Sequence, residues 1–137
     1  MGLDEIVDKI KINKFNIFLG LLSSSEFAAG VSCFAYEIHN YVGEGFDENS
    51  PLRMLVGSMS LLMSYVAGKP VPWAVKNQNR HYKALMELLK NGYKEEACKR
   101  YMSYPCGRSV VKTALERIND SNGYKELKEK YPLKTMW

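Results

Sequence analysis

Residues 104–109 read Tyr-Pro-Cys-Gly-Arg-Ser, and three kinds of chemistry can be built on that corner. Cys106 precedes an amphipathic run and has Arg108 two residues on; a helix N-terminus and a guanidinium both lower a thiol pKa. No Cys-x-x-Cys or Cys-x5-Arg spacing accompanies it, so a small, partly buried cysteine is the plainer reading. Gly107, Arg108 and Ser109 at a helix start would offer free backbone N–H groups to a phosphate; the plainer reading there is Ser109 as an N-cap. Third, YKEEACKRY followed by SVVKTALERI resembles a helix-turn-helix, with Arg108, Ser109, Lys112 and Thr113 as the reaching residues. Its seven-residue connection, MSYPCGR, exceeds the three or four that motif uses.

Metal and acid–base constellations are thin. Glu37 and His39 are two apart, on different helical faces, and do not make a Glu-x-x-His pair. His81 with Cys98 and Cys106 fits no standard zinc spacing. No nucleophile elbow, phosphate-binding loop or dinucleotide glycine pattern occurs. No catalytic residue, metal ligand or cofactor is assigned, and the chain reads as a binding protein before an enzyme; a thiol- or metal-dependent enzyme is the third choice.

Charge carries more. Residues 1–68 hold four basic and eight acidic side chains, net −4, and residues 69–137 hold fifteen and seven, net +8. Such an asymmetry points to a polyanion. Lys76, Arg80, Lys83 and Lys90 are spaced four, three and seven apart, one face of a helix. Asn77, Gln78 and Asn79 lie beside them to bond phosphate or base edges. Lys94, Lys99, Arg100, Arg108 and Lys112 extend the stripe if the helices carrying them are neighbours. Tyr93, Tyr101 and Tyr104 are interleaved, with Tyr101 and Tyr104 placed to stack on bases. Glu87 interrupts the stripe, which suits an ordinary solvated face equally well.

The elements that must position these residues are helices. Residues 4–22 read as one, with a possible break near Asn13; Ser23 and Glu26 have capping-box spacing and predict a second helix that stops at Gly43 and Gly45. Ser50 as N-cap with Pro51 behind it opens a third, whose apolar stripe Leu52, Leu55, Val56, Met59, Leu62, Met63 and Val66 predicts a buried central helix over about 50–67. GKPVP ends it, and residues 73–90, 94–102 and a run after the corner follow; DSNG at 120–123 then turns into a last polar helix that Pro132 terminates.

The expectation is therefore an all-α, single-domain bundle of six or seven helices spanning 1–137. The two long apolar stretches, 15–42 and 54–68, are read as its buried core and not as membrane spans; the shorter falls below the ~20 residues a bilayer needs. Three scattered cysteines and a charged first decapeptide suit a reducing, cytoplasmic compartment with no membrane contact. Abundant Lys, Asn and Tyr suggest an AT-rich microbial or viral source. Function reads as a non-catalytic, nucleic-acid-associated helical protein binding phosphate backbone, with Ser109 and the basic and aromatic residues above as its contacts. The alternative is a protein-interaction module or homo-oligomeric adaptor with no nucleic acid.

Overall fold

A computed structural model describes residues 2–135 and is all-α, with no strand among the described residues. In chain order the helices are α1 (Leu3–Ile12), α2 (Lys14–Gly43), α3 (Ser50–Gly68), α4 (Val71–Lys90), α5 (Lys94–Lys99), α6 (Pro105–Arg117) and α7 (Ser121–Lys130). The backbone separates into two compact units: residues 1–15 with 73–137, and residues 16–72. Sequence charge divides between them more sharply than at Gly68. The first unit carries seventeen basic and ten acidic residues, net +7, and the second two and five, net −3.

The first unit is built around α6. Val110, Val111, Ala114 and Leu115 are all 0% exposed. They meet Ile12 of α1, Leu85 and Leu89 of α4, Cys98 of α5 and Leu127 of α7 in one cluster. Removing side chains of this size from water is worth roughly 1.5–3 kcal/mol each. Polar bonds fix the register. The Gln78 amide on α4 donates to the carbonyls of Ile12 (3.3 Å) and Cys106 (3.0 Å). Buried Asp8 accepts from Tyr82 Oη at 2.8 Å and from Arg117 Nε and Nη2 at 2.8 and 2.6 Å. One carboxylate thereby ties α1, α4 and α6 together.

The second unit is an antiparallel pair, α2 and α3, joined at residues 44–49. The first two predicted helices divide at Asn13, and α2 then runs unbroken through Ser23. Ser23 is no cap because its hydroxyl is used across the pair: Ser23 Oγ donates to Ser64 O at 2.8 Å and Ser64 Oγ to Ser23 O at 2.7 Å. Gly43 and left-handed Gly45 end α2, as their lack of Cβ suggests. Ser50 opens α3 within one residue of expectation, its Oγ accepting from Asp47 N at 3.0 Å.

The expected buried central helix over 50–67 is corrected. Leu52, Leu55, Val56, Met59, Leu62 and Met63 are all exposed, and the buried side chains of α3 are Ser50, Gly57 and Ser64. The apolar stripe is expected inside because large side chains normally turn inward. Here close helix approach selects the small residues instead: a Cβ on Gly30 would come within 2.6 Å of the Leu61 side chain, and one on Gly57 within 3.0 Å of Cys33 Cβ. The buried helix of the first unit is α6.

Candidate polyanion-binding surface

Helix α4 turns Leu85 and Leu89 inward, with Tyr82 and Met86 packed at the edge of the core. That orientation leaves Lys76, Arg80, Lys83 and Lys90 exposed together on its outer side, with Glu87 among them. None of the four forms an ion pair among the described residues, whereas Lys11–Glu116, Lys94–Asp120, Arg117–Asp8 and Lys130–Glu95 pair elsewhere in the same unit. The carboxylates that would neutralise the stripe are thus largely committed to other cations.

At the middle of α4, His81 links this stripe to the turn that follows α5. The Tyr101 hydroxyl lies 3.3 Å from His81 Nδ1, with the two rings edge-on at 5.3 Å. Burial, then the fields of Arg100 and Arg80, hold the imidazole pKa below its ordinary 6.5. Arg100 also lines a cleft of about 410 Å³ with Glu96, Lys99, Ser103, Tyr131 and Lys134, and the Tyr131 hydroxyl donates to a second carboxylate, Glu95, at 2.7 Å. Residues 131–135 border it, Lys134 N donating to Ser103 O at 2.9 Å.

Not every residue expected here is available. Tyr101 is 6% exposed and in the core, so it positions His81 and cannot stack on a base. Tyr104 is half-buried, its ring edge lying over Gly107 and its phenol pKa raised chiefly by burial. Arg108 is spent inside the fold, with Nε on Met102 O at 2.9 Å and Nη2 on Tyr131 O at 2.7 Å. Ser109 is in the second turn of α6, its Oγ facing Pro105 O at 3.4 Å, because the helix starts at Pro105. Gln78 is buried, and Asn79 Oδ1 accepts from Asn13 Nδ2 at 2.9 Å. Lys112 remains exposed.

The same facts dispose of the recognition helix: Thr113 is buried, Arg108 is occupied, and α6 is interior. They also remove the lowered thiol. Cys106 is half-buried, and burial raises its pKa; Cys98 is fully buried and pushed up to about 11 for the same reason. Among the described residues no three His, Cys, Asp or Glu side chains converge, so His81, Cys98 and Cys106 do not form a ligand set.

The site therefore consists of Lys76, Arg80, Lys83 and Lys90 on α4 with the Lys99–Arg100–Lys134 cleft. Lys134 escapes a reading of the sequence because only the return of residues 131–135 to Ser103 brings it there, and no periodicity signals that. The fold is all-α, and its first unit presents an exposed basic face. No family model matches the chain, and neither does any curated protein or solved structure, so the geometry carries the functional argument by itself.

Proposed function

We propose that this is a non-catalytic, nucleic-acid-associated protein that grips the phosphate backbone through the outer face of α4 and the adjoining cationic cleft. One observation carries the reading: four cations on a single helix face are exposed and free of ion pairs among the described residues, while six of the unit's ten acidic residues, Asp4, Glu5, Asp8, Glu95, Glu116 and Asp120, pair with cations elsewhere. Exposed cations in register with a polyanion release condensed counterions when they bind it, which supplies affinity without reading sequence. Arg80 and Arg100, both acting on His81, join the helix face to the cleft.

The test is fluorescence anisotropy with labelled 20-mer duplex and single strands across 50–200 mM salt. On duplex the slope of log K against log salt changes by about 0.9 for each phosphate no longer neutralised. Lys76, Arg80 and Lys83 replaced together by Glu should therefore flatten it by roughly 2.7 units. Lys125, Lys128 and Lys130 changed together to Glu on α7 serve as the charge-matched control and should have a much smaller effect. Equal losses in the two variants, or none in the first, would remove α4 from the interface.

A further inference from the structure

We propose that residues 16–72 form a membrane-embedded helical hairpin whose outer surface is solvated by the hydrocarbon of a phospholipid bilayer. The pair is inside-out for water. Residues wholly or partly withdrawn between the helices recur at seven-residue spacing: Ser23, Gly30 and Glu37 on α2, and Ser50, Gly57 and Ser64 on α3. Outside stand Phe18, Leu21, Val31, Leu55, Leu62 and Val66, all exposed. Water would drive the opposite partition, because apolar area is what burial removes from it. In lipid the driving force between helices is close approach of small residues with hydrogen bonds across the seam. Gly30 against Leu61, Gly57 against Cys33 and the reciprocal Ser23–Ser64 bonds provide both.

The length of α2 and the polar details of the pair agree. Among the described residues one helix, α2, is long and apolar enough to cross a bilayer by length and composition, and only 6% of its eighteen-residue apolar window is buried. From Asn16 to Glu37 is about 32 Å at 1.5 Å per residue, against a hydrocarbon core of about 30 Å. Residues 54–68 hold no charged side chain, and 15–36 hold only Glu26, which is partly buried and in register with the seam. Exposed Ser24, Ser32 and Ser58 each donate to the carbonyl four residues back, at 2.8–2.9 Å. A hydroxyl facing lipid needs that internal partner.

At the tip, Glu37 and Asp47 hold Arg53, whose guanidinium lies 5.2 Å over the Tyr36 ring; at the open end Lys69 lies 5.2 Å over Tyr65. Tyrosines with a cation at both ends match the interfacial belts of membrane helices. The connection 44–49 carries Glu44, Asp47 and Glu48 and no lysine or arginine, with Arg53 beyond it as the tip's cation, whereas in sequence Lys9, Lys11, Lys14 and Lys69 flank the open end. By the positive-inside rule both ends of the hairpin stay cytoplasmic. A second copy is the lesser fit. A hairpin closing on a copy in water keeps a charged outer face, and no such face exists over 54–68.

Flotation of the full chain with phosphatidylcholine vesicles in 0.5 M salt tests this, read together with hydrogen–deuterium exchange. The chain should float, and peptides within 17–36 and 54–66 should exchange at least tenfold more slowly with vesicles, while those of 105–130 stay unchanged. Leu55, Leu62 and Val66 changed together to Glu point away from the seam and should abolish flotation. Flotation only on anionic vesicles and lost in salt would mean surface attraction by the basic unit and overturn the proposal. Lipid-independent protection that rises with protein concentration, with an oligomer of fixed size, would assign the face to a second copy and overturn it too. The charge variant of α4 should float normally, so failure of the nucleic-acid reading leaves this result unaffected.

Discussion

Asp8 is the residue whose loss should most disturb the placement of α4. Its Oδ2 takes three donors, one from Tyr82 and two from Arg117, while the carboxylate itself is almost fully buried. A hydrogen bond to a charged group contributes about 1.5–3 kcal/mol. Arg117 keeps a third of its side chain in water and rehydrates when released, so its two bonds count for less than the sum. Asp8→Ala should then cost about 3 kcal/mol, and Asp8→Asn, which keeps the shape without the charge, roughly half of that. For a unit of this size 1 kcal/mol moves Tm by about 4–8 °C, so a drop of at least ~12 °C is expected for the alanine variant. Urea unfolding followed by tryptophan fluorescence gives the free energy. Spectrophotometric titration gives an independent readout: the Tyr82 phenol is pushed up to about 12, first by burial and then by its bond to Asp8. In Asp8→Ala the burial remains, so the phenol should titrate below 12 yet above its ordinary 10. A cost under about 0.5 kcal/mol, or an unmoved phenol, would refute the carboxylate as the tie between the helices.

Gly107→Ala should be worse than most core changes, by about 3 kcal/mol, since a Cβ there meets the Tyr101 carbonyl and the Tyr104 ring and backbone cannot step aside; thermal unfolding checks it, and a Tm within 3 °C of the parent would contradict the packing. His81 supplies a pH dependence. Its folded pKa lies below 6.5 because of burial, Arg100 and Arg80, so the unfolded chain binds more protons in that window. Stability is fully present above pH 6.5 and falls as pH drops through the lowered value; His81→Gln should flatten the stability curve between pH 5 and 7. Phosphates seated on Arg80 and Arg100 would raise the imidazole pKa again, so nucleic-acid affinity should increase as pH falls from 7.5 to 5.5. Anisotropy at the two values decides, and an unchanged affinity would place the phosphates away from α4.

What can be read from the sequence, and what cannot, follows from the range of the interactions. The α4 stripe is legible because it depends on spacing within one helix: Leu85 and Leu89 go in, and Lys76, Arg80 and Lys83 therefore go out. Gly43 and Pro51 mark helix ends through local backbone preference. Tyr101 and Arg108 defeat the same reading for the opposite reason. Arg108 is held by the carbonyl of Tyr131, twenty-three residues away, and Tyr101 by His81, twenty residues away. Spacing along a helix contains nothing about either partner.

The hairpin shows a deeper ambiguity. Leu52, Leu55, Met59, Leu62 and Val66 do form one face of a helix, as their spacing predicts, and only the direction of that face is reversed. Periodicity fixes the angle between large and small residues but leaves open which side meets another helix. That second choice depends on the solvent. In water the large side chains turn inward, and in hydrocarbon the small ones do, because only they let two backbones approach. The cue to direction is the opposite face: Ser50, Gly57 and Ser64 repeat at seven residues as regularly as the leucines, facing Gly30 and Ser23. In one chain, then, α6 and α3 bury opposite kinds of residue. A single solvent does not account for both, and a chain with its basic unit in water and its hairpin in lipid does.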